Sequence, residues 1–290
     1  MSNFIPWNSK LLEEWASKYA RGKFIELDGL STHYLEKGSG ETVILIHGFF
    51  FDTNMWNKNI DALAKKYKLY VIDLWGFGYS TRKPLDYGYP LYTKQLLKFM
   101  NALNIERASL IGQSMGGGTI INFANLNQNR VKKIVLVNAA GMPNKLPVMG
   151  RISILPRLGE LLYNLNNNYV RKFTLKSTFI FNSEIITDQF FDILTRFHKI
   201  AGSTEVMLQV TRNQFFDKLS NEIKSLKTKN IPTLIVWGKE EKSIPLSVGK
   251  ELASILSHSR FEILNNAGHC SNIDQFELFN QLVLDFLESN

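Results

Sequence analysis

Short apolar runs and helix-period patterns alternate along the first half of the chain. The runs TVILIHG (42–48), KLYVIDL (68–74), ASLIG (108–112) and KKIVLVNAA (132–140) are nearly continuous in apolar and β-favouring residues. Between them, NMWNKNIDALAKKY, LYTKQLLKFMNAL and MGGGTIINFANL carry apolar residues at the spacing of a helix with one buried face. Strands that are apolar on both faces and separated by helices predict a mostly parallel sheet covered on both sides. Ahead of them, KFIELD and STHYLEKG read as an antiparallel hairpin leading into the sheet.

The alternation stops after Gly141. From 142 to 212 the chain reads as helices punctuated by Pro143, Pro147 and Pro156, rich in phenylalanine and without a strand-like run. Alternation resumes with a helix near 214–229, the strand TLIVWG (233–238), a helix near 246–256, RFEIL (260–264) and a last helix from 274. The pattern therefore predicts an α/β core made of 1–141 and 213–290, with a helical cap, 142–212, inserted into it. An inserted layer of this kind sits over the carboxyl ends of the strands, where open α/β sheets bind their ligands.

The first twenty residues, MSNFIPWNSKLLEEWASKYA, read as a short amphipathic helix with Leu11, Leu12, Trp15 and Tyr19 on one side. They lack the basic start and unbroken apolar stretch of a signal peptide, and no run approaches the roughly 18 apolar residues of a bilayer span. A soluble, cytoplasmic protein without membrane insertion is expected.

Composition narrows the function classes. At 290 residues and 44% hydrophobic, the chain can bury one large core with a subdomain inserted into it. The net charge of +8 comes from lysines scattered through helical segments, not from a stripe interleaved with aromatics, so no nucleic-acid partner is expected. The single cysteine, Cys270, excludes an internal disulfide framework and any multi-cysteine metal site. No metal-ligand spacing, no G-x-G-x-x-G and no phosphate loop is present, so no cofactor is implied.

The candidate chemistry lies in Gly112-Gln113-Ser114-Met115-Gly116. Ser114 stands where the strand ASLIG gives way to a helix beginning at Met115. So sharp a turn forces strained backbone angles on the central residue, and glycine two positions to either side relieves the crowding. The hydroxyl is held proud of the sheet, above a helix N-terminus that favours developing negative charge.

With HGFF at 47–50, DLWGFGYS at 73–80, WGKEEKSIP at 237–245 and NAGHCSNID at 266–274, these residues resemble the α/β-hydrolase superfamily over essentially the whole chain. The resemblance implies a serine nucleophile, Ser114, with its base at His269, the only histidine in a Gly-containing loop after the final strand. It implies the acid at Glu241, where relatives usually carry aspartate; Glu240 is adjacent and could substitute. It places the oxyanion donors at the backbone N–H groups of Phe49 and Met115. Asp73 matches the structural aspartate of DLWGFG. His47 reads as structural, and His33 and His258 as surface residues. Phe50, Arg196 and His198 are candidate pocket residues. Cys270 follows the base but has no elbow of its own, and reads as packing.

Serine at 114 argues against relatives that use aspartate as nucleophile. The expected activity is a serine carboxylesterase acting on short- to medium-chain esters through an acyl-enzyme, with a small-molecule ester as its only partner. Whether it acts as monomer or dimer is open. The alternative is a carbon–carbon hydrolase of meta-cleavage products, whose members also carry Ser-Met-Gly-Gly and a helical cap with a carboxylate-gripping arginine, to which Arg196 is the candidate match. Those relatives usually have HGGGPG where this chain has HGFFFD, and tryptophan where it has Cys270. A non-catalytic ligand-binding protein of the same fold is the third reading.

Overall fold

The computed structural model describes residues 5–144, 148–164 and 167–289. Its framework is an eight-stranded sheet: β1 (Lys23–Leu27), β2 (Leu30–Lys37), β3 (Thr42–Ile46), β4 (Lys68–Ile72), β5 (Ala108–Gln113), β6 (Val131–Val137), β7 (Thr233–Gly238) and β8 (Arg260–Leu264), in the order β1-β2-β4-β3-β5-β6-β7-β8. β1 and β2 form the expected hairpin, and β2 joins β4 antiparallel; every pairing from β4 through β3 to β8 is parallel. Every residue of β5 and β7 is buried, the physical counterpart of their unbroken apolar runs.

The strand order reverses direction at β3, which has β4 on one side and β5 on the other. Loops leaving the carboxyl ends of β3 and β5 therefore diverge and leave a crevice between them, the place where sheets of this kind put their ligands. Residues 47–51 and Ser114 stand at that crevice.

Two helical expectations are shortened. NMWNKNIDALAKKY forms a turn at Thr53–Trp56 and a single helical turn at Ile60–Leu63, because asparagine and aspartate side chains there compete for the backbone. Asp52 accepts from the Asn54 N–H at 2.9 Å, and the Asn59 side chain donates to the Asn272 carbonyl at 3.0 Å. The helix expected near 214–229 narrows to Ser220–Leu226, followed by a tighter turn. By contrast, the helix Met115–Leu126 begins at the expected residue.

Between β6 and β7 the chain forms the helices Val148–Ser153, Leu158–Asn164, Asn168–Thr174, Asp188–Thr195 and Ser203–Arg212, with a π-helical turn at Leu175–Phe179. Pro147 lies outside the described residues, as do 1–4. This stretch is fastened to loops at the carboxyl edge of the sheet. The Cys270 N–H donates to the Phe179 carbonyl at 2.9 Å, Arg82 Nε donates to Ser203 Oγ at 3.1 Å, and Gln209 Nε2 donates to the Leu85 carbonyl at 2.7 Å.

A second fastening comes from the N-terminal segment. The Asn8 N–H donates to the His198 carbonyl at 3.0 Å, Ser9 and Lys10 both donate to the Lys199 carbonyl, and the Ala201 N–H donates to the Lys10 carbonyl at 2.7 Å. The helix that follows runs from Leu12 to Tyr19 and buries Trp15, whose Nε1 donates to the Arg196 carbonyl. Leu11 departs from its expected place on the buried side and is 70% exposed, because it precedes the helix in extended conformation and does not share the helical period.

Candidate active site

Ser114 has φ 50° and ψ −116°, the strained elbow expected of a residue forced between strand and helix. The flanking glycines answer to close approach. A Cβ on Gly112 would come within 2.5 Å of the Gly116 carbonyl, and one on Gly116 within 2.3 Å of the Ile46 carbonyl oxygen at the end of β3. The elbow is pinned by its backbone: the Ser114 N–H donates to Val137, and its carbonyl accepts from Gly118 and Ala140. Met115 opens the new helix, so its N–H has no helical carbonyl behind it and remains available as a donor.

The loop after β3 lies directly against this elbow, since a Cβ on Gly48 would come within 3.0 Å of Ser114 Cβ. His47 anchors it. Its Nδ1 donates to the Gly48 carbonyl at 2.8 Å and its Nε2 accepts from the Leu74 N–H at 3.0 Å, while burial lowers its pKa and keeps the ring neutral. His47 is structural, as expected. Phe50 takes φ +76°, a conformation that favours glycine.

His269 stands in the loop after β8 with its Nδ1 2.6 Å from Glu241 Oε2, and both side chains are nearly inaccessible to solvent. The Glu241 carboxylate is held from two further directions. Asn138 Nδ2 donates to Oε2 at 2.7 Å and the Ser243 N–H donates to Oε1 at 2.5 Å, while Asn138 is itself fixed by Ser271 Oγ at 2.8 Å. These donors immobilise the extra rotatable bond that glutamate has over aspartate. Glu240 is directed elsewhere: its Oε2 accepts from the Ala267 N–H at 2.9 Å. Between the two residues at 240 and 241, the geometry couples Glu241 alone to the imidazole.

Gln113 Nε2 donates to the His269 carbonyl at 2.9 Å, which brings the base loop to the residue preceding Ser114. No hydrogen bond joins Ser114 Oγ to His269 in this structure, a looseness common where no substrate is bound. Among the described residues, His269 Nε2 has no hydrogen-bond partner and is free to accept a proton. Cys270 is fully buried, and burial pushes its thiol pKa well up, which suits packing and not nucleophilic attack.

The pocket candidates divide. Phe50 and His198 meet: their ring centroids are 4.4 Å apart, and His198 Nε2 lies 3.1 Å from the Phe50 carbonyl oxygen. Arg196 does not join them. It is paired with Asp192 one helical turn back and lies over the Tyr19 ring at 4.4 Å, so its charge is already committed. The cation sequence reasoning missed is Arg171. It is fully buried, lies 4.1 Å over the Trp7 ring, bonds His198 through Nη1, and leaves Nε and Nη2 without a partner among the described residues. Nothing in NYVRKFT distinguishes it from a solvated charge; only the fold buries it.

His33 also corrects an expectation. It is 1% exposed, not a surface residue, because β2 is flanked by β1 and β4 and is covered on both faces. Its Nδ1 meets Asp73 Oδ2 at 2.6 Å. Asp73 also accepts from the Thr53 and Tyr79 amides at 2.7 and 2.8 Å, which establishes it as a structural carboxylate tying together the loops after β3 and β4.

Fold and site together are those of a hydrolase of the α/β class, and the family model described as "alpha/beta hydrolase fold" matches residues 41–276. The chain belongs to that superfamily. It is 30% identical, over 96% of its own length and 98% of the relative's, to the 2-hydroxy-6-oxononadienedioate/2-hydroxy-6-oxononatrienedioate hydrolase of Paraburkholderia xenovorans (strain LB400). It is 28% identical, with 96% and 99% covered, to the 2-hydroxy-6-oxo-6-phenylhexa-2,4-dienoate hydrolase of Comamonas testosteroni. Among solved structures it resembles a meta-cleavage product hydrolase from Pseudomonas fluorescens IP01, with TM-score 0.81, 27% identity and 92% and 97% of the two chains covered.

These relatives overturn the carboxylesterase expectation and favour the carbon–carbon hydrolase alternative. Phe50 in HGFFFD adopts a backbone conformation that glycine would supply, so the lack of glycine there does not set the loop apart from HGGGPG. No helix among the described residues is long and apolar enough to cross a membrane.

Proposed function

We propose that the protein hydrolyses a carbon–carbon bond in a meta-cleavage product, a 2-hydroxy-6-oxo-dienoate. The observation that carries this reading is the similarity, over nearly the full length of both chains, to hydrolases named for such substrates. In it, Ser114 Oγ adds to the ketone carbon while His269 Nε2 takes its proton, and Glu241 holds the imidazole and stabilises its cation. The N–H groups of Phe49 and Met115 receive the oxyanion. A carbon leaving group departs only if its electron pair is delocalised, so the dienol must first be in its keto form, with the new pair running into the conjugated carbonyl. The pair ends on the 2-oxo oxygen, which takes the proton from His269 as the 2-hydroxydienoate leaves, and water then hydrolyses the ester left on Ser114.

Residues 142–212 act as the cap over this site. The carboxylate of a dienoate requires a cation that is not already neutralised, and Arg171, whose Nε and Nη2 have no partner among the described residues, suits that role better than Arg196 paired to Asp192. The decisive assay follows loss of the dienoate chromophore alongside labelling by a serine-directed fluorophosphonate. Ser114→Ala is expected to lose both, with kcat falling by about 10⁴-fold or more. Wild-type protein that takes the label at Ser114 but leaves every dienoate intact would refute the substrate assignment and spare the nucleophile.

A further inference from the structure

The proposed chemistry leaves one buried imidazole without a task. His198 is fully buried, packed edge-on between Phe50 and Phe197 at 4.4 and 4.2 Å. Its Nδ1 meets Nη1 of Arg171, and a guanidinium can only donate. Nδ1 is therefore the acceptor, the proton sits on Nε2, and Nε2–H donates to the Phe50 carbonyl at 3.1 Å. Burial, reinforced by the Arg171 charge, holds the His198 pKa well below the usual imidazole value, so the ring stays neutral and this tautomer is fixed.

The recipient is a residue under strain. Phe50 takes φ +76° without being glycine, and within the turn the Phe51 N–H reaches the Gly48 carbonyl only at 3.3 Å. The turn is weakly closed by its own backbone and is held instead from the side. His198 bonds its carbonyl, and Phe179 stacks on its ring at 5.6 Å and 19°. Were Phe50 to relax to negative φ, the preceding peptides, with the Phe49 amide, would swing out of line with Ser114. We propose that His198 is a positioning residue for the oxyanion loop, its orientation set by Arg171 and its support delivered through the Phe50 carbonyl. The inference rests on the Ser114 and Phe49 assignments above and is independent of which substrate the site takes.

His198→Phe keeps the ring and removes the donor, whereas His198→Gln restores an N–H at the same reach. The first readout is the rate of fluorophosphonate labelling at Ser114, which depends on the oxyanion loop and not on the identity of the substrate. His198→Phe is expected to slow labelling by about 10-fold or more, because losing a whole donor costs about 10²–10³-fold and displacing it costs part of that. On dienoate kcat should fall as labelling does, and His198→Gln should recover most of it. Adding Phe50→Gly to His198→Phe should also restore labelling, since glycine holds φ +76° unaided.

A folded His198→Phe protein that labels at the wild-type rate overturns the proposal, as does a His198→Gln protein no better than His198→Phe. If His198→Phe fails to fold, the nitrogen spectrum of ¹⁵N-histidine-labelled wild-type protein decides: protonation at Nε2 supports the proposal and protonation at Nδ1 refutes it. Slow labelling of the variant, in a protein whose wild type cleaves no dienoate, would uphold this inference while refuting the substrate assignment.

Discussion

The described residues contain two buried histidine–carboxylate pairs, and both hold Nδ1 at 2.6 Å from a carboxylate oxygen. In one, His33 Nδ1 faces Asp73 and Nε2 faces the Arg21 carbonyl at 2.5 Å. Two acceptors require two ring donors, so His33 is an imidazolium. Burial alone would lower its pKa, but the Asp73 charge and hydrogen bond outweigh burial and raise it. In the other, His269 faces Glu241 on one side and has no partner for Nε2 among the described residues. The same pair is thus a brace where both nitrogens are occupied and a candidate base where one is left open. The carboxylates differ correspondingly. Asp73 gathers amides from two loops, whereas Glu241 is held by neighbours whose arrangement serves to aim one imidazole.

Exchanging the roles of these pairs by mutation should separate chemistry from folding. The largest effect is expected from Glu241→Gln, which keeps shape but removes the charge and favours the wrong tautomer; kcat should fall by about 10²–10⁴-fold at nearly unchanged Tm, while Glu240→Gln stays within severalfold. Equal losses from the two would break the assignment of the acid. Asp73→Asn should do the reverse, costing about 3–5 kcal/mol in urea unfolding because it strands a buried imidazolium. Asn138→Ala, which frees one side of the Glu241 carboxylate, should lower kcat by about 10-fold with a loss of about 1–2 kcal/mol in stability.

The smallest effect is a slope with pH. Because the folded His33 pKa is raised, its stabilisation is complete below the unfolded value near 6.5 and declines as pH rises through the folded value. Unfolding free energies of wild type and His33→Gln should therefore converge on the alkaline side. A gap that widens with pH would show that His33 is neutral in the fold.

Six strands were legible in the apolar runs and two in the hairpin ahead of them, and the elbow was legible because strand, serine and helix are contiguous. What could not be read depends on neighbours far along the chain. His33 sits in an alternating hairpin pattern that suits solvent, and only the docking of β2 onto β4 buries it. Arg171 and His198 are single polar residues among many in the helical insertion, and their pairing is created by tertiary packing alone. The resemblance pointed to Glu241 as the acid with Glu240 as a substitute, and the side-chain directions, which spacing does not carry, turn Glu240 to the Ala267 amide and Glu241 to His269. The activity was misjudged because HGFFFD and Cys270 were weighed as departures from HGGGPG and tryptophan, although Phe50 takes a backbone conformation open to glycine.

The strap of residues 8–10 across the insertion has a consequence for how release of that seam can be observed. Trp15 and Arg196 are joined across 181 residues of sequence. The Asn8, Ser9, Lys10 and Ala201 amides are bonded only across this seam. Their exchange with deuterium should run faster than that of the buried amides of β5 and β7, on a clock set by the insertion lifting away. Those amides are therefore a built-in gauge of how often the N-terminal segment and the insertion part.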